Sequence, residues 1–238
     1  MRLVASFQLH ENYVPCDYRV AIQAHFKRAL STYDPDLFSH LYSSNVSKDF
    51  TFSVHLNEPI FKGEIIELKD SALIVTYSMY DRILFITLYN ALLKSRFVEF
   101  PIQNGNFIRL VSLTTQADAI VSESKIRVRM LSPALARKHN RDTNKDVYLD
   151  YTNVEFESVM VNSIKSQVLK SLGEEFICDV RFIPINPKKT VVKTRGEKLN
   201  ANIGTYELHG SPIVLDYLLQ AGLGGKKSQG FGLMEMIG

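Results

Sequence analysis

The sequence predicts an α+β protein built from two tandem ferredoxin-like (RRM-like) domains, residues 1–117 and 118–238. Three observations predict this. Each half runs in the order β-α-β-β-α-β, the apolar spacing within each half switches between two and the helical repeat, and a polar stretch without periodicity separates the halves. A chain of 238 residues has the length for two domains of about 110 to 120 residues each. The same order would also suit one irregular α+β domain.

In the first half, Leu3, Ala5, Phe7 and Leu9 alternate with Arg2, Val4, Ser6 and Gln8, as in a half-buried strand. Ile22, Phe26, Leu30 and Tyr33 then recur at helical spacing. Asp34-Pro35 restarts the helix, because aspartate caps free amides and proline suits the first helical turn. Leu37, Phe38, Leu41 and Tyr42 continue it. FTFSVH (50–55), GEIIEL (63–68) and ALIVTYS (72–78) read as strands, 81–95 as a helix, and 97–115 as a strand pair.

Segment 116–125 is the expected linker. IRVRM (126–130) opens the second half as a strand with Ile126, Val128 and Met130 on one face and Arg127 and Arg129 on the other. An amphipathic helix follows over 156–173, closed by Gly173. CDVRFIPI and TVVKTR read as strands joined through a turn at INPKK, and LNANIGTYELHG as another strand. SPIVLDYLLQAG (211–222) carries a serine cap, a proline and a closing glycine, and FGLMEMIG ends the chain as a strand.

Composition is that of an ordinary globule, 45% hydrophobic and 22% charged. A net charge of +3 and a pI near 8.7 are mildly basic, so the placement of the charges says more than their sum. Cys16 and Cys178 are too few and too distant for a disulfide framework or a zinc site and read as reduced thiols. No apolar run reaches the ~20 residues of a membrane span, and the N-terminus lacks the pattern of a signal peptide, so a cytoplasmic address is expected.

The sharpest local feature is the tail GLGGKKSQGFG, which holds Gly222, Gly224, Gly225, Gly230 and Gly232 around Lys226, Lys227 and Ser228. Glycine lets a backbone approach a ligand, and consecutive amides with two lysines suit phosphate oxygens. Gly225 and Gly230 have the spacing of a nucleotide P-loop, but Phe231 follows where lysine is needed. A dinucleotide fingerprint lies between strand and helix, whereas this loop lies between helix and strand. A plain flexible turn is the remaining alternative.

That helix, loop and terminal strand resemble the C-terminal glycine-rich motif of the CRISPR repeat-processing endoribonucleases of the RAMP superfamily. KDFTFS (48–53) resembles the family's lysine-led strand, and MLSPALAR (130–137) resembles its LSP segment. DPDLFSHLY (34–42) lies where members carry their catalytic histidine. The matches span the chain in the family's order. The resemblance implies two ferredoxin-like folds and cleavage of CRISPR repeat RNA with neither metal nor cofactor. Its products carry a 2′,3′-cyclic phosphate and a 5′-hydroxyl. Further effector subunits or a second copy stay open as partners, and a non-catalytic RNA-binding subunit is the alternative role.

Such cleavage uses the substrate's own 2′-hydroxyl, so the protein must move protons and stabilise a charged phosphorane. Histidine exchanges protons near neutral pH, and lysine answers developing negative charge. His40 is the leading candidate, although some members place their histidine two positions later, where this chain has Tyr42. Lys48 matches the family's transition-state lysine, and Lys27 lies on the helix that often bears a tyrosine or lysine helper. His25 is the runner-up and reads as a half-buried histidine beside an apolar stripe. For RNA binding, the glycine loop is joined by PKKTVVKTRGEK (187–198), where alternation about a glycine turn would line up Lys188, Lys189, Lys193 and Arg195. Arg137, Lys138 and Arg141 form a further basic cluster. His10, His55, His139 and His209 have no metal-site spacing.

Overall fold

The computed structural model describes residues 1–43, 46–140, 144–177 and 179–237; Cys178 and Arg141 lie outside them. It divides into two units, one of Met1–Val46, Ser53–Ala117 and Lys193–Glu197, the other of Ser47–Phe52, Asp118–Val192 and Lys198–Gly238.

The first half runs β1 (Arg2–Leu9), β2 (Tyr13–Pro15), α1 (Tyr18–Tyr33), α2 (Pro35–Tyr42), β3 (Phe50–Leu56), β4 (Ile60–Lys62), β5 (Ile65–Glu67), β6 (Ala72–Met79), α3 (Arg82–Lys94), β7 (Glu99–Pro101) and β8 (Phe107–Gln116). Its main sheet has the order β3-β6-β1-β8-β7, and β1 is antiparallel to both neighbours, with Ala5 opposite Val75 and Leu113. The alternation in β1 has its expected result: Leu3, Ala5, Phe7 and Leu9 are at most 2% exposed. Ile22, Phe26 and Leu30 of α1 and Leu84, Leu88 and Leu92 of α3 are likewise buried, while Tyr33 is only half-buried. Aspartates start the later helices. Asp34 accepts from the Leu37 amide, and Asp81 from the Ile83 and Leu84 amides. The GEIIEL segment contributes β5, which pairs with β2 and β4 in a separate small sheet.

The second half runs β9 (Lys125–Met130), β10 (Ala136–Asn140), β11 (Lys145–Leu149), α4 (Phe156–Ser171), β12 (Arg181–Thr194), β13 (Glu197–His209), α5 (Pro212–Ala221) and β14 (Met234–Ile237). Its sheet order, β12-β13-β9-β14, reproduces β3-β6-β1-β8 element for element, so both halves carry the ferredoxin-like arrangement. Ile126, Val128 and Met130 face the core and Arg127 and Arg129 do not. Phe182 stacks on Tyr206 at 4.6 Å.

Three expectations need correction. The INPKK turn does not form, because β12 runs unbroken through Pro184 and Pro187. An edge strand tolerates prolines, whose missing N–H would break an interior ladder. The reversal comes at Arg195-Gly196, both at positive φ. The β10–β11 hairpin has no counterpart among the strands that the sequence predicts. Ser211 stands at the N-cap of α5, but its side chain makes no capping bond.

Candidate functional site

The first unit holds His40, Tyr42 and Lys27. His40 is exposed in the last turn of α2. Tyr42 is half-buried, and burial pushes its phenol up to about 12, so it keeps its proton at neutral pH. Lys27 Nζ lies 4.4 Å from the centre of the Tyr42 ring, and Phe38 packs beside that ring at 4.9 Å. Lys27 and Tyr42 are therefore brought together. His40 lies two residues before Tyr42 on the same helix, about 200° away around its axis, so the two side chains leave on different faces.

His25 is more deeply placed than expected. It is 4% exposed, wedged edge-on against Phe7 and Phe100, and burial lowers its pKa to about 4. It is a neutral imidazole at physiological pH.

The second unit holds Lys48, half-buried just before β3, and the glycine loop. Its organising residue is Asp49. Ser171 Oγ and Tyr217 OH both donate to that carboxylate, the latter at 2.9 Å, and Lys227 Nζ lies 3.3 Å from Oδ1. Burial draws the Lys227 pKa down to about 8 against the opposing pull of Asp49.

Two features hold the loop in place. The Lys227 side chain is only 10% exposed and is paired with Asp49. The amides of Gly222, Gly225, Gly230 and Gly232 donate to the carbonyls of Leu218, Leu135, Lys227 and Pro133, so they are spent within the fold. Close packing is the reason for the glycines here. A Cβ at Gly230 would stand 2.6 Å from the Phe52 ring, and one at Gly232 only 1.9 Å from the Leu223 carbonyl oxygen. Lys226 is half-buried, with Nζ 5.4 Å from the centre of the Tyr148 ring. Ser228 lies in the single turn of 3-10 helix Lys227–Gln229.

Lys188 and Lys189 belong to the second unit, Lys193 and Arg195 to the first. Lys188 is exposed. Lys189 Nζ bonds Asp150 at 2.7 Å, and that bond is the chief reason the Asp150 carboxyl falls to about 2. Lys193 pairs with Glu64, which raises its pKa. The Arg195 amide donates to Asp17, and its guanidinium to Gln23. On β9, Arg127 and Arg129 face Glu207 and Glu235, and Lys125 pairs with Glu207. Arg137 and Lys138 are matched by Asp146 and Glu155. Among the described residues, no group of three or more His, Cys, Asp and Glu side chains is placed to hold a metal, and no helix is long and apolar enough to cross a membrane.

Sequence reasoning missed Asp49, Ser171 and Tyr217. The only available signal was a carboxylate in KDFTFS at the mouth of an apolar strand, where an unpaired charge would be costly.

Residues 115–236 match the family model for the CRISPR-associated protein Cas6, C-terminal. The chain belongs to the Cas6 family. This is the family to which the glycine-rich tail, KDFTFS and MLSPALAR pointed. No curated protein matches this Cas6 chain significantly. Among solved structures it is similar to a RAMP protein described as binding different RNA substrates, at 17% identity and TM-score 0.86, with all of both chains covered. It is also similar to the product of a Cas6-related gene from Pyrococcus furiosus, at 18% identity and TM-score 0.85, covering 100% of this chain and 98% of that one. A Cas6 product complex aligns over the whole of both chains at 16% identity and TM-score 0.70. These likenesses establish the fold of this Cas6, two tandem ferredoxin-like halves.

Proposed function

We propose that this Cas6 is an endoribonuclease that cuts CRISPR repeat RNA into guide units in the cytoplasm. The observation that carries the reading is the family match over residues 115–236. The reaction is transesterification without a metal ion: the 2′-hydroxyl attacks the adjacent phosphorus, leaving a 2′,3′-cyclic phosphate and a 5′-hydroxyl. His40 moves the proton, and its exposure on α2 supports that role. Lys48 answers the charge of the phosphorane. Tyr42, held protonated by burial, is suited to donate a hydrogen bond and not to act as a base, and Lys27 sits over its ring.

Lys188, Lys226 and Ser228 are the proposed contacts to the RNA backbone. Lys189, Lys193 and Arg195 join them when phosphate displaces their present partners, and the glycines with Lys227 keep the loop in shape. The test is incubation of purified protein with repeat RNA in EDTA, followed by mapping of the product ends. Cyclic-phosphate ends in chelator support the mechanism, whereas loss of cutting in EDTA and its return with magnesium overturns it.

A second reading, a non-catalytic subunit that grips guide RNA beside other effector subunits, is favoured by Tyr42 standing where some relatives carry histidine. Tight RNA binding with no cleavage of any repeat would select it.

A further inference from the structure

Within the first unit, a cavity of about 320 Å³ opens between α1, the end of α3 and the 98–100 segment. It shares no lining residue with the proposed cleavage or RNA-contact groups. Its size falls at the lower end of the range for small-ligand pockets, enough for one nucleotide and not for a folded strand.

Three features of the lining point to one ligand chemistry. His25 lines the cavity, and its buried Nδ1 has no hydrogen-bond partner. A buried polar atom left unpaired is uncommon in a folded protein and calls for an explanation. Because burial keeps this imidazole neutral, it suits an uncharged partner such as the edge of a base. Two cations supply the opposite preference. The Arg28 guanidinium lies 5.6 Å from the Phe100 ring centre and Lys94 Nζ 4.7 Å from that of Tyr33, so positive charge is held on aromatic surface at the cavity. Glu99, also in the lining, is exposed and can accept from hydroxyls but would repel a bare anion. A ligand satisfying all three carries an anionic group, hydroxyls and a neutral hydrogen-bonding edge.

We propose that this cavity binds one nucleoside monophosphate unit, with its phosphate on Arg28 and Lys94, its ribose hydroxyls on Glu99 and its base on His25. The unit has two sources, a free nucleotide or one residue of an RNA strand. The proposal does not depend on the cleavage reading.

The test is calorimetric titration of the intact protein with adenosine 5′-monophosphate, and separately with triadenylate. His25→Phe keeps the packing against Phe7 and Phe100 while removing the ring nitrogens; Lys94→Met changes an exposed position that leaves the core untouched, should His25→Phe fold poorly. Saturable binding of the mononucleotide, weakened at least about tenfold by either variant, supports the site with a free nucleotide as ligand. Binding of triadenylate alone, weakened in the same way, supports it with RNA as the source. Absence of binding by both probes, or binding that both folded variants leave unchanged, overturns it.

Discussion

Lys227 and Asp49, 178 residues apart in sequence, form a charge pair 3.3 Å long whose side chains are 10% and 16% exposed. The carboxylate has two further donors in Tyr217 and Ser171, whereas the pairing with Asp49 is what offsets the burial of the ammonium. Removing the acid should therefore cost more than removing the base. Asp49→Ala is expected to lower stability by about 3–5 kcal/mol, and Lys227→Met by about 1–3 kcal/mol. Urea denaturation of both variants and the double variant checks the order, and equal losses would contradict it.

The same lysine sets a pH dependence. Its folded pKa, about 8, lies below its ordinary value of 10.5. Between those values the unfolded chain holds a proton that the folded chain has released, so this group's contribution to stability rises with pH across the window. The stability of the parent protein relative to Lys227→Met should increase from pH 8 to 10.5, measured by denaturant titration at each pH.

His25 acts at the acid end. With a folded pKa of about 4 against an ordinary 6.5, it takes up its proton in the unfolded chain first. Its contribution is fully present above pH 6.5 and is lost as pH falls toward 4, to a total on the order of 3 kcal/mol. His25→Phe should flatten that part of the stability profile, as followed by thermal melts from pH 7 to 4.

His40→Ala is expected to slow cleavage of repeat RNA by about 10²–10⁴-fold while leaving RNA affinity near that of the parent. Single-turnover cleavage and filter binding on the same preparation separate the two, and near-normal cutting would remove His40 from the mechanism.

Glycines 63 and 232 offer a matched comparison, both at positive φ, at 61° and 77°. A Cβ at Gly63 meets nothing within 4 Å, but one at Gly232 falls on the Leu223 carbonyl. Gly63→Ala should cost about 1 kcal/mol from backbone strain alone, and Gly232→Ala clearly more. Chemical denaturation of the two variants measures the difference.

The legible parts of this fold are those set by side-chain periodicity. The buried face of β1, the stripe Ile22-Phe26-Leu30 and the alternation of β9 all follow from apolar spacing. β12 is not legible as one strand because Pro184 and Pro187 signal a break in an interior strand, and one sequence does not reveal which strand is at an edge. The glycine loop is legible as a feature, but the close packing behind it is not. A glycine records that a Cβ is unwelcome without recording whether the neighbour is a ligand or, as at Gly230, a phenylalanine ring. The Asp49 network was illegible for a different reason: its members come from four stretches of chain with no common spacing.

That four-part arrangement has an evolutionary corollary. Asp49 holds three donors, from residues 171, 217 and 227, so exchanging a single donor leaves the carboxylate two others, whereas exchanging the acid alone strands the Lys227 ammonium. Sequence drift should therefore be coupled most tightly between positions 49 and 227, with lineages either keeping both or replacing both by apolar side chains.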